Sequence, residues 1–130
     1  MHINIAEREL IDKILDRKGN KTLFMNEIYL GEMLREILFS ANEFVPSESG
    51  AVFLDDPLLK RTTKEKGRLY FMACFGEGSE KLAGTFLPCD VGITGETYRS
   101  GSPYLSRDVS QDGSFYPGVD KQTSYQSRSI

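Results

Sequence analysis

The chain is poor in the residues that most often carry chemistry. Among 130 residues there is one histidine, His2, and two cysteines, Cys74 and Cys89. A serine or cysteine nucleophile needs a base within reach, and a sole histidine at a terminus does not supply one. The two thiols stand in no CxxC or Cys/His spacing, which removes the usual zinc patterns. With no secretory leader they read as reduced thiols of a cytoplasmic protein, acting as small apolar fillers. Long apolar runs are missing too, so no segment suits a bilayer span, and the N-terminus lacks the order of a signal peptide. The net charge of −3 gives no overall positive field to recruit nucleic acid or an anionic membrane. Together these shortages predict a cytoplasmic protein that is not an enzyme, with no metal, nucleic-acid or membrane partner.

What is present fits one ordinary domain with a single core. Residues 3–17 carry Ile3, Ala6, Leu10, Ile11, Ile14 and Leu15 at helical spacing, which predicts one amphipathic helix. It serves either as a dimerisation helix or as a cover for one sheet face. Residues 1–22 are read as this helix and its linker, and residues 23–130 as the main domain. A longer helix is predicted over 26–45, with Asn26 as its N-cap and Pro46 as its stop. Its apolar face is wide enough for burial on two sides, against a sheet and against a partner. The period then changes to two: 51–54 and 68–75 read as strands. The loop between them holds Lys60, Arg61, Lys64 and Lys66 without interleaved aromatics, the pattern of a solvated hairpin loop more than of a phosphate grip.

The most informative stretch is 84–108. Thr85 to Leu87 suits a third strand closed by Pro88, and Gly92 and Gly95 allow a sharp turn. Thr94 stands where a helix N-cap belongs, and Gly101 where a helix ends. The adjacent aromatics Phe115 and Tyr116, beside Pro117 and Gly118, suit a short lid over a concavity. One or two helical turns are predicted within 119–126, then an extended start at 127–130.

The string DVGITGETYRSGSPYLSRDVSQD, followed by FYPGVDKQTSYQSRSI, resembles the central signature of GAF domains, in particular those of cyclic-nucleotide phosphodiesterases, adenylate cyclases and bacterial sensors. The resemblance covers about residues 30–130. It implies an α/β (α+β) fold: a central antiparallel sheet, N-terminal helices on one face, and a lid-and-short-helix pocket on the other. It also implies two further strands beyond Ile130, so the sheet is expected to fall short. Either the sequence is truncated before its last strands or a partner chain fills the gap by swapping or edge pairing.

The function the resemblance implies is sensory: a small molecule, possible cyclic nucleotides included, binds and a conformational signal passes to an output domain. The implied ligand contacts are Ile93 and Thr94 from the glycine turn, Tyr116 from the lid, and Asp120, Thr123 and Ser127 from the following helix. The implied partner is a second copy of the chain, held through the N-terminal helices or the exposed sheet edge. The chain departs from the cyclic-nucleotide pattern at Ala51 and near Gly76. A ligand-free dimerisation or interaction module is the alternative. A GAF-fold methionine sulfoxide reductase is the third reading, weakened because the lid segment contains no cysteine.

Overall fold

The computed structural model describes residues 2–17, 30–56 and 67–130. Its organising element is the strand β3, Arg68–Phe75, an almost uninterrupted apolar run buried over most of its length. Such a run suits a strand covered on both faces. Around it lie β1 (Ile3–Ile5), α1 (Arg8–Arg17), α2 (Leu30–Phe44), β2 (Gly50–Asp55), β4 (Phe86–Pro88), α3 (Gly92–Ser100) and α4 (Gly118–Thr123), with short 3₁₀ turns at Ser79–Lys81 and Val109–Gln111. All described pairings are antiparallel, and the fold is α+β.

β2 runs along one edge of β3, while β1 and β4 share the other. β1 pairs with residues 73–75 and β4 with residues 68–70. The register between β2 and β3 jumps at one step: Val52 lies opposite Ala73 but Phe53 lies opposite Phe71. Met72 is therefore an extra residue on β3, a bulge that divides the strand where its β1-paired and β4-paired halves meet. The bulge sets which side chains share a face. Met72, Ala73 and Phe75 pack with Ile11, Leu15, Leu34 and Leu38 from the helices, whereas Phe71 and Cys74 pack on the other face with Leu82, Ala51 and Phe53.

The single helix expected over 3–17 is a strand followed by a helix. Ile3 and Ile5 alternate about Asn4, whose Nδ2 donates to Ser79 Oγ at 2.7 Å, and the free edge of β3 at 73–75 gives the segment a ladder. A three-residue strand leading into a helix leaves apolar residues at spacings that a helix also produces. From Arg8 onward the helix is as expected, and its stripe is used inside the domain: Ile11, Ile14 and Leu15 are all buried. The boundary near residue 22 lies outside the described residues, as do Asn26 and the basic loop between β2 and β3. α1 shares a core with β3.

α2 ends as its sequence predicts, before Pro46, with Ser47 N–H donating to Asn42 Oδ1 at 2.8 Å. Leu34 and Leu38 are buried. β2 gains Gly50 and Asp55 at its ends, and β4 is shifted by one residue to include Pro88, an edge position that tolerates the missing N–H. Residues 128–130 are extended and pair with 106–109: Ser106 and Ile130 exchange both backbone bonds, at 2.6 and 2.8 Å.

Cys74 is buried with its Sγ 3.4 Å from the Ser79 carbonyl oxygen, and burial, then the charge of Glu80, push its pKa up to about 11. Native protein at pH 8 should therefore react with a thiol reagent at Cys89 well before Cys74, which should label only on unfolding. Mass mapping after a timed pulse checks this; equal labelling of both would contradict the buried placement of Cys74.

Candidate functional site

The glycine-rich turn enters α3 three residues earlier than the sequence suggested. Val91 occupies the cap position in extended geometry with no side-chain cap bond, and Thr94 lies within the first turn. The reason is Gly92, whose φ of +68° bends the chain at once. A Cβ there would lie 2.9 Å from the Tyr116 Cβ, so the turn and the lid segment touch at this point. At the other end Gly101, φ +69°, donates its N–H to the Thr97 carbonyl and closes the helix as expected.

A hollow of about 660 Å³ lies between β2 and the inner side of α3. Its floor is residues 51–55, and its walls come from Ile93, Thr94, Thr97 and Tyr98 on one side and Pro103, Tyr104 and Ile130 on the other. The Tyr98 hydroxyl donates to Asp55 Oδ2 at 2.8 Å, tying α3 to the end of β2. The Tyr104 hydroxyl donates to the Asp112 carboxylate at 2.8 and 3.0 Å. That bond, with the Ser114 N–H, holds the Asp112 carboxyl below its ordinary range, and the bond to Asp112 pushes the Tyr104 phenol up. Among the described residues no lysine, arginine or histidine lines the hollow. It offers hydroxyls, backbone groups and a largely apolar surface, which suits a neutral or partly apolar guest better than a free phosphate.

Of the six residues singled out in the sequence, Ile93 and Thr94 line this hollow. The other four do not line it. Tyr116 is 43% exposed, and its ring lies over Gly118, where a Cβ would come within 2.4 Å of the ring. Asp120 accepts from the Ser127 N–H and hydroxyl, both at 2.7 Å, closing the chain that follows α4. Thr123 is buried and donates to the Val119 carbonyl. Its Cβ would sit 2.6 Å from a Cβ on Gly78, so α4 seats on the turn after β3. Tyr125 reaches Glu48 at 2.6 Å, linking this region to the turn before β2.

Sequence reasoning passed over Phe53, Asp55, Tyr98, Tyr104 and Ile130. Nothing local connects Asp55 to Tyr98, 43 positions away. Among the described residues no group of three His, Cys, Asp or Glu side chains is placed to hold a metal, and no helix is long and apolar enough to cross a membrane. No protein-family model matches the chain, and no curated protein matches it significantly, so the arrangement of its own residues carries the functional argument.

Proposed function

We propose that the chain is a regulatory sensor domain of the GAF type, which binds a small molecule between β2 and α3 and passes a conformational signal to other parts of a signalling protein. The observation that carries the reading is that Ile93 and Thr94, from the glycine turn of the signature, line a hollow of about 660 Å³, within the usual range for metabolite sites. A guest lodged there touches both α3 and the end of β2. Through Tyr98 and Asp55 it would bias how these two elements sit together, and a few kcal/mol of differential affinity is enough to switch a two-state population. The apolar side chains and hydroxyls among the described lining residues favour a guest that is neutral where it meets them, such as a purine ring or an apolar amino acid. Cyclic nucleotides remain within the class if their phosphate is held by hydroxyls and backbone N–H groups.

The test is a thermal-shift series against cyclic AMP, cyclic GMP, adenine, guanine and the apolar amino acids. A ligand at about 100 times its Kd adds roughly 2.7 kcal/mol, which for a domain of this size raises Tm by about 5–15 °C. Thr94→Val and Tyr98→Phe should each reduce that rise. No shift with any of these compounds would count against the sensor reading.

A dimerisation module is favoured by a different observation. Met33, Ile37, Phe44 and Val45 on and just after α2 are exposed, Phe44 at 87%. Met33, Ile37 and Phe44 recur at spacings of four and seven, which puts them along one side of the helix. Under this reading sedimentation velocity shows a dimer without any ligand, and Phe44→Ser dissociates it.

A further inference from the structure

A second hollow, of about 350 Å³, lies between the start of β1 and the flank of α2, lined by His2, Ile3, Arg35, Glu36 and Phe39. It shares no residue with the hollow between β2 and α3. We propose that it is a binding site for a free α-amino acid with an apolar or aromatic side chain. The guest's carboxylate faces Arg35, its ammonium faces Glu36, and its side chain lies on Ile3 and Phe39.

The site follows from how α2 packs. The inward stripe of the helix is narrow: Leu34 and Leu38 join the core cluster with Ile3, while Arg35, Glu36 and Phe39 beside them stay exposed. Arg35 and Phe39 stand four positions apart, so they are neighbours on one flank of the helix, and that flank borders the start of β1. Ile3, only 6% exposed, supplies a buried apolar wall, and Phe39, 49% exposed, leaves ring surface uncovered for a guest.

The charges decide the class of guest. Among the described residues neither Arg35 nor Glu36 makes an ion pair or a hydrogen bond. A guest that is only an anion is drawn to Arg35 but repelled by Glu36, and a guest that is only a cation meets the reverse. A zwitterion matches both. The apolar pair selects its side chain, and an aromatic ring gains further by offset stacking on Phe39. His2 adds an imidazole able to hydrogen-bond either end of the guest. The volume is near the low end of the range for small-molecule sites, about 300–1,000 Å³, which suits an amino acid better than a nucleotide. This goes beyond the sensor reading and does not rest on it.

The experiment titrates the full chain with L-phenylalanine, phenethylamine and hydrocinnamate, following the backbone amides by two-dimensional NMR. L-Phenylalanine should give saturable shifts at residues 2–3 and 35–39. Both charges are exposed to solvent, so each contributes modestly. Phenethylamine, which lacks the carboxylate, and hydrocinnamate, which lacks the ammonium, should each bind about three- to fivefold more weakly. Arg35→Gln should weaken L-phenylalanine by a similar factor without weakening phenethylamine, and Glu36→Gln should weaken it without weakening hydrocinnamate. The proposal is overturned if no saturable shift appears at these residues up to the solubility limit of the amino acid. Analogues that bind as tightly as L-phenylalanine also overturn it. So do shifts confined to residues 51–55 and 93–98 that vanish with Thr94→Val, since the amino acid then lodges between β2 and α3 and the sensor reading stands alone.

Discussion

Gly76→Ala should destabilise the domain by roughly 2–5 kcal/mol, enough to leave it largely unfolded if its total stability is at the low end of the usual 5–15 kcal/mol. Gly76 follows β3 directly and has φ +114°, outside the small left-handed well that other residues visit. A Cβ there would lie 2.5 Å from the Ser49 Cβ and 2.9 Å from the Glu48 carbonyl oxygen, both on the turn that feeds β2. Neither the backbone strain nor the clash can relax without moving the start of β2. The same corner is crowded from the other side, since a Cβ on Gly50 would meet the Phe75 ring at 2.6 Å. Equilibrium urea unfolding followed by circular dichroism measures the loss. Gly113→Ala, with nothing within 4 Å of its Cβ position and no positive φ, is the control and should change stability by no more than about 0.5 kcal/mol. Similar losses for the two variants would contradict the packing of β2 against the end of β3.

Ile11→Ala should cost about 2–5 kcal/mol, as a large-to-small change at a fully buried site does. Ile11 has no exposed surface and joins α1 to the same cluster as Met72, Leu34 and Leu38. Its deletion opens a void between helix and sheet that neighbours on three elements cannot close together. Ile37→Ala removes the same atoms from an exposed position, 53% accessible, and should cost the isolated domain only a few tenths of a kcal/mol. The pair separates what the two helices do. If Ile37→Ala is as damaging as Ile11→Ala, and more so at high protein concentration, the outer side of α2 is buried in an assembly. If Ile11→Ala is mild, α1 is not part of the core.

Much of this architecture is visible in the residues themselves. The stretch 68–75 reads as a strand from its residues, and it is the one on which the sheet is built. The helical periodicity and Pro46 define the end of α2, and Gly101 ends α3 where a residue without a Cβ accepts positive φ. Ile93 and Thr94 were legible as site candidates because a glycine-flanked turn at the start of a helix is a local feature. What was misread was also local in form but decided elsewhere. Ile3 fits a helical stripe, yet residues 3–5 form a strand because β3 offers a ladder at 73–75. Thr94 has the right chemistry for a cap, but the positive φ of Gly92 starts the helix before reaching it. Asp120 and Ser127 were both implied as ligand contacts by the resemblance, and seven residues apart they bond to each other across the end of α4.

The sequence by itself determined the class of the molecule: helices and strands of ordinary length, a poverty of nucleophile–base pairs, and a glycine-punctuated turn suited to facing a hollow. These follow from backbone freedom and the period of apolar residues, which act over a few positions. Only the tertiary structure decided that Tyr98 reaches Asp55 and that the hollow is walled by Pro103, Tyr104 and Ile130. Those relations join residues tens of positions apart. They are set by which faces must be buried together and by where the extra residue Met72 turns the pleat of β3, information that no short window of sequence contains.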